Sequence, residues 1–481
     1  MKKVKKGICQ NIIFIPIDNR PVTYLLADEI AGIDKNLKLF LPERNFLGGL
    51  FKRASADKIL DWLKNVPSSA SLIILSLDTI AYGGLISSRR CNDGFCDIKN
   101  RLDKLKENLI ERKKINPDIK IFAFSSIMRI SNNNNNEEEK EYWNLWGEKI
   151  FSYSFNKHKA EIKGINYINK EIPDDILNDY LETRKRNFNV NKIYLEWLKS
   201  NILDFMIYSK DDTGKYGFNV LEADILNKEI KKENLNAVVK TGADEIPLGL
   251  LLRGITGKKE LKINVQYTFP QSRKLISKYE DISVRECIES QIKIGIENAI
   301  VTNVDPDITL FVNNFENKQG DLVFKDLINE FKGNLPDFKM PYIIADINNA
   351  NGSDNGLLEV ILKKGISGIL SYSAYNTSAN TIGSALCAGV INYLSKKTDS
   401  FNENCFKKFI EIRLLDDWAY QANIREEIQN IKDKNFERAL NLNKEKFKPF
   451  EEKIKKFTGV DFKAEYNLPW KRSFEIEISI K

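Results

Sequence analysis

The chain has 481 residues, 42% of them hydrophobic and 29% charged, which suits a folded globular protein with room for one large domain plus an appendage, or for two domains. Its net charge of +7 is a small difference between 74 basic and 67 acidic residues, and no long basic block is interleaved with aromatics, so nucleic acid is not an expected partner. There is a single histidine, His158, which excludes a multi-histidine zinc site and leaves proton transfer to Asp, Glu, Tyr, Lys or Cys.

The start, Met1 to Gly7, is basic and leads into an apolar stretch. That stretch is short, contains Pro16 and has no small-residue cleavage site, so it reads as a first strand, Asn11 to Ile17, and not as a secretory signal. A helix follows over Pro21 to Ala31, then a short strand over Leu37 to Leu41 and an amphipathic helix over Ser55 to Asn65. The strand Ser71 to Leu77 precedes the Gly-containing loop AYGGLISSRR. A helix over Ile98 to Lys114 and a strand over Lys120 to Ser126 come next. Asn132 to Asn136 is a polyasparagine run, expected as an exposed loop tip. Long helices are predicted over Glu137 to Lys159 and Asp174 to Asn201, with His158 on a solvated face. Strands at Phe205 and Ala237 flank a helix over Val220 to Glu233. Further strands are expected over Ile263 to Thr268, Ile308 to Asn313, Pro341 to Ile347 and Ser367 to Ser373, the last leading into a helix over Ser378 to Leu394. The tail from Phe401 to Phe457 is charged and helical, and LPWKRSFEIEISI closes it with strand-like alternation. The organisation expected is an α/β domain over 1–396, catalytic or ligand-binding, and a helical C-terminal extension over 397–481 that ends in a strand.

Alternating strand and helix signals give the α/β class. Six short apolar runs end in acidic or amide residues: Ile12 to Ile17 at Asp18-Asn19-Arg20, Leu72 to Leu77 at Asp78, Phe205 to Lys210 at Asp211-Asp212, Ala237 to Ala243 at Asp244-Glu245, Tyr342 to Ala345 at Asp346, and Gly368 to Tyr375 at Asn376. Continuous apolar runs read as buried parallel strands, and ligands bind at the carboxyl ends of such strands. Polar groups spread over many strand ends favour a TIM-type, barrel-like parallel sheet with additional strands. Open doubly wound sheets are the alternative. No GxGxxG or GxxxxGK[ST] segment supports a nucleotide cradle.

The six cysteines are mostly isolated, and Cys91 and Cys96 flank a turn where a reduced pair is the expectation. The oxygen-rich loop Asn351 to Gly356 lacks EF-hand spacing. No metal, cofactor or membrane partner is therefore expected, and the default compartment is the cytoplasm.

IPIDNRPV, LDTIAYGGLISSR, SKDDTGKYG, TGADEIPLGLLLR, ADINNANGSDNG, SYSAYNTSANTIG and LPWKRSFE occur in order along the whole chain. Through them it resembles the uncharacterised bacterial family catalogued as domain of unknown function 4127, which implies one full-length unit and no assigned reaction. A second, architectural resemblance is to O-GlcNAcase-type hexosaminidases. It rests on the adjacent Asp211-Asp212 pair, the segment Asp346 to Asp354 and Tyr375-Asn376, and it implies one Asp orienting an acetamido group while the other protonates the leaving oxygen.

Two adjacent carboxylates in a dehydrated pocket repel, so one takes up a proton and the other stays charged. The catalytic candidates are Asp211, Asp212, Asp244 and Glu245. The substrate-binding candidates are Asp18, Asn19, Arg20, Asp78, Tyr82, Tyr216, Asp346, Tyr375 and Asn376, with backbone beside Gly83-Gly84 free to approach a ligand. The expected activity is glycoside hydrolysis on a small sugar or amino-sugar. An Mg- or Ca-dependent metalloenzyme and a non-catalytic sugar-binding protein are the alternatives.

Overall fold

The computed structural model describes residues 9–169, 171–211, 214–338, 340–431 and 434–481. The apolar runs do form parallel strands, and these make two open sheets. The first contains β1 (Gln10–Ile15), β2 (Leu37–Phe40), β3 (Leu72–Ser76), β4 (Lys120–Ile127), β5 (Phe205–Lys210) and β6 (Ala237–Thr241), in the order β2-β1-β3-β4-β5-β6. The second contains β7 (Glu260–Tyr267), β8 (Asn298–Val301), β9 (Ile308–Asn313), β11 (Tyr342–Asp346) and β13 (Ile369–Ser373), in the order β13-β11-β9-β7-β8. Between them in sequence lie the two-residue strands β10 (Gly320–Asp321) and β12 (Asn349–Ala350), which pair with each other.

This corrects the barrel preference in favour of the open alternative. Among the described residues β2 and β6 are unpaired edges of one sheet and β13 and β8 of the other, so neither sheet closes. The two windings match. Each sheet places its second strand outside its first and then runs the other way, which creates a switch point between β1 and β3 and another between β7 and β9.

Packing follows from strand periodicity. Ile12 and Phe14 point into one core and Ile13 and Ile15 into the other, because neighbouring residues face opposite sides of a sheet. The outer core is covered by helices over 56–65, 95–115 and 174–199. The inner core continues without a break from the first sheet through helix 246–256 to helices 284–295 and 378–397, the second sheet and the C-terminal segment. In that segment a π-helical stretch, Leu414–Ile424, joins helices 403–413 and 425–429, and β14 (Ala464–Asn467) pairs antiparallel with β15 (Glu477–Ile480). No described helix is long and apolar enough to cross a membrane.

His158 departs from expectation. It is buried at 3% exposure, and its Nδ1 accepts from Gly217 N–H (3.1 Å) while Ser154 Oγ accepts from Phe218 N–H (2.8 Å). Gly217 has no side chain with which to cap helix 218–232, and the neighbouring helix 143–162 supplies the acceptors.

Candidate functional site

The first switch point delivers Asp18-Asn19-Arg20 beyond the end of β1, and Pro21 starts helix 21–31, where its missing N–H costs nothing. Arg20 is 6% exposed and sits at the centre of three carboxylates, one two residues away and two from distant parts of the chain. Its Nε donates to Asp18 (2.9 and 3.0 Å), its Nη2 to Asp244 Oδ1 (2.7 Å) and its Nη1 to Asp244 Oδ2 (3.2 Å) and Glu475 Oε1 (3.1 Å). Tyr375 donates its hydroxyl to Asp244 Oδ2 (2.6 Å), and Thr23 donates to Asp18 Oδ1 (2.6 Å). Burial works against the Arg20 charge, but Asp18, Asp244 and Glu475 outweigh it and raise its pKa well above the ordinary value. Burial in turn pushes Glu475 up to about 7 despite Arg20 and Arg472 nearby.

This cluster forms one wall of a cavity of about 350 Å³. Strand ends of the first sheet contribute Arg129, Lys210, Asp211, Thr241, Gly242 and Asp244. The second half of the chain contributes Glu280, Asn351, Asn376 and Asn380, and the tail contributes Trp470, Arg472 and Phe474. Gly242 is required where it stands: its φ is +130°, and a Cβ there would lie 1.9 Å from Glu245 Oε1. Lys210 pairs with Asp281 (2.6 Å), and Arg129 and Arg472 both reach Glu138 (2.9 and 2.7 Å).

Glu280 differs from every other acid in this wall. It is 8% exposed, its Oε1 accepts from Ala379 N–H (2.9 Å), and its Oε2 has no partner among the described residues. Burial, with Glu245 and Asp281 adding to it, pushes the carboxyl up to about 7, and the Ala379 N–H and Lys240 offset this only in part. Lys240 is committed elsewhere, to Glu245 Oε1 (2.9 Å) and Thr241 O (2.8 Å). Two further polar atoms in the cavity wall are buried and unpartnered, Asn380 Oδ1 and Arg472 Nε. Trp470 holds a left-handed backbone (φ +56°), as does Lys471 (φ +55°). Its indole N–H donates to Asn19 Oδ1 (2.7 Å), and the guanidiniums of Arg20 and Arg472 lie 5.4 and 4.7 Å from its ring. A strained aromatic pinned between two arginines on a cavity wall is the kind of local cost that accumulates at functional sites.

Of the residues expected from sequence, Arg20, Asp211, Asp244 and Asn376 line the cavity, while Asp18 and Tyr375 stand directly behind through Arg20 and Asp244. Asn19 supports Trp470. Asp212 lies outside the described residues. The others are placed elsewhere. Glu245 is buried under the start of helix 246–256, between Lys240, Gln291 and the Ala243 N–H. Asp78 is fully buried, with Ser125 Oγ and Ser126 N–H donating to it (2.7 and 2.8 Å). Tyr82 packs in the outer core, and Gly83 closely approaches Arg53 and Ala54. Tyr216 stands edge-on to Phe155 and His158. Asp346 is fully buried, accepting from Asn313, Tyr372 and the Asp354 N–H, and burial and the Asp354 carboxylate together raise its pKa.

Residues not anticipated are Glu280, Asn380, Arg129, Lys210, Arg472 and Glu475. The tail motif LPWKRSFE held the signal for the last two, but nothing local connects it to β1. The polyasparagine run is an exposed loop over 132–135, as expected, and it also borders the site. Asn133 and Asn135 line the cavity, and the following residues are pinned by Arg90, whose Nε donates to Glu139 O (2.9 Å) and Nη2 to Asn136 O (2.8 Å). Among the described residues no group of three or more His, Cys, Asp or Glu side chains is arranged to hold a metal ion.

No curated protein and no solved structure matches the chain, so the hexosaminidase resemblance finds no counterpart. The family model described as a protein of unknown function, DUF4127, matches residues 12–479, from β1 into β15, and the chain belongs to that family.

Proposed function

We propose that the protein is a glycoside hydrolase-like enzyme of the cytoplasm that acts on a small sugar or amino-sugar through paired carboxylates. The observation that carries this reading is Glu280: a carboxyl buried in the cavity wall, with one oxygen unpartnered and a proton affinity near neutrality. Such a group is suited to protonating a leaving oxygen. The second carboxylate is Asp211 on the same cavity, 3.7 Å from Arg129. Asp244 is less suited to reacting, because both of its oxygens are held by Arg20 and Tyr375. Its part is to fix the wall. Amide side chains of Asn133, Asn351, Asn376 and Asn380 supply the donors and acceptors that sugar hydroxyls need.

The test is a panel of aryl-glycosides, acetamido and free-amino sugars included, with and without Mg or Ca. Glu280→Gln and Asp211→Asn should each lower turnover by about 10² or more. With Glu280 acting in its protonated form, the wild-type rate should fall as pH rises through about 7, and that alkaline limb should disappear in Glu280→Gln. Turnover only with added metal would favour the metalloenzyme reading. Saturable binding of a sugar without turnover across the panel would favour a binding protein.

A further inference from the structure

A second cavity, of about 320 Å³, lies behind the first; Val323 belongs to the walls of both. It is lined by Lys325, Asn349, Asn423, Arg425, Gln429 and Asn430, among others. Arg425 is 5% exposed, and its surroundings differ from those of the other buried arginines. Arg20, Arg89, Arg184 and Arg413 each hold at least one carboxylate. Arg112 donates to the carbonyls of Leu63, Val66 and Pro67. Among the described residues Arg425 has only an amide: Nη1 donates to Gln421 Oε1 (3.0 Å), Nε has no partner, and no carboxylate is in ion-pair contact with it. Its guanidinium lies 4.8 Å from the ring of Phe474, which holds it in place without neutralising it. Burial lowers its pKa, and the acidic groups around it act only at a distance. A buried charge of this kind is costly unless paired. The cavity wall thus holds a buried cation with no carboxylate partner among the described residues. Two carboxylates, Glu330 and Glu426, also line it, and neither pairs with Arg425; Glu426 is taken by Lys325 (2.5 Å).

We infer that this cavity binds a small oxyanion, its anionic oxygens on Arg425. Carboxylate and phosphate share the required chemistry: a planar guanidinium takes two oxygens of either. The site is separate from the main cleft and does not depend on the reaction proposed there.

Calorimetric titration of the full chain with inorganic phosphate, glycolate and acetate, at constant ionic strength, tests this. Phosphate or glycolate should bind saturably and raise the melting temperature. Arg425→Gln should weaken that binding at least tenfold. Gln429→Glu, an exposed position in the same wall that gains a negative charge, should do the same, and it decides the matter if Arg425→Gln does not fold. Acetate should bind as glycolate does, because the guanidinium needs only the carboxylate. Phosphate binding more tightly than glycolate and acetate would identify a phosphoryl ligand, and the reverse a carboxylate. Absence of saturable binding of either anion, or binding unchanged by both substitutions, would overturn the inference.

Discussion

Arg20 shows how one side chain can join three remote parts of a chain. It ties the segment after β1 to Asp244 after β6 and to Glu475 in the tail, with all three pairs at least 90% buried. A lysine offers one ammonium and cannot fork to three carboxylates at once. Arg20→Lys should therefore destabilise the protein by about 2–4 kcal/mol, since acids are left buried and underpaired. Arg44 is the internal comparison: it makes a two-pronged bond to Glu477, but the pair is 31% and 22% exposed. Arg44→Lys should cost no more than about 1 kcal/mol. Urea unfolding of both variants checks this, and equal losses would show that the Arg20 cluster is not stabilising as a unit. Asp18 and Asp244 were legible in sequence because each follows an apolar run. Glu280 was not, because it sits in a loop with no strand before it and owes its burial and its one hydrogen bond to Ala379, 99 residues away.

At the scale of elements, the tail segment from Leu468 to Glu475 completes a wall of the main cleft, and Glu475, with Trp470, attaches it to the segment after β1. The carboxyl rises from 4.5 to about 7 in the folded protein. A raised carboxyl pKa means that the folded state binds the proton more tightly than the unfolded chain does. The resulting stability is fully present below about 4.5 and is lost as pH rises through about 7. Stability of the wild type should thus decline from pH 5 to pH 8. In Glu475→Gln, which keeps an acceptor for Arg20 and does not titrate, the decline should be smaller by on the order of 1–3 kcal/mol. Urea midpoints at the two pH values measure it, and identical slopes in both proteins would refute the link. Glu280 and Glu29 are also pushed up to about 7, so the decline should be reduced and not abolished. Among the strands, the central ones were legible because they are buried on both faces and read as unbroken apolar runs. β8 was missed for the opposite reason: Asn298–Val301 is an edge strand, exposed or half-exposed at every residue.

For the whole molecule, local pattern indicates that a strand is buried but not which strand lies beside it, so an open pair of sheets and a closed barrel look alike in sequence. The same limit hides how the C-terminal segment attaches. Read alone it is a charged helical tail, yet Phe409, Leu415, Trp418 and Tyr420 belong to the same continuous core as Ile12 in β1 and Leu310 in β9. Helix 403–413 packs on helix 21–31 and on β13, and Asp417 accepts from the Ala374 N–H at the end of β13 (2.8 Å). A chain ending at residue 396 would lose these partners together with Glu475. Exposing even five large side chains at roughly 2 kcal/mol each matches the whole net stability of an ordinary domain, ~5–15 kcal/mol. The 1–396 chain should accordingly be insoluble, or soluble without a cooperative thermal transition, while the full chain should show coincident transitions by far-ultraviolet and near-ultraviolet circular dichroism. A soluble 1–396 chain melting cooperatively within a few degrees of the full protein would show instead that the segment is a detachable appendage. In that case the Arg20–Glu475 contact would be a docking interaction between independent units, not part of one core.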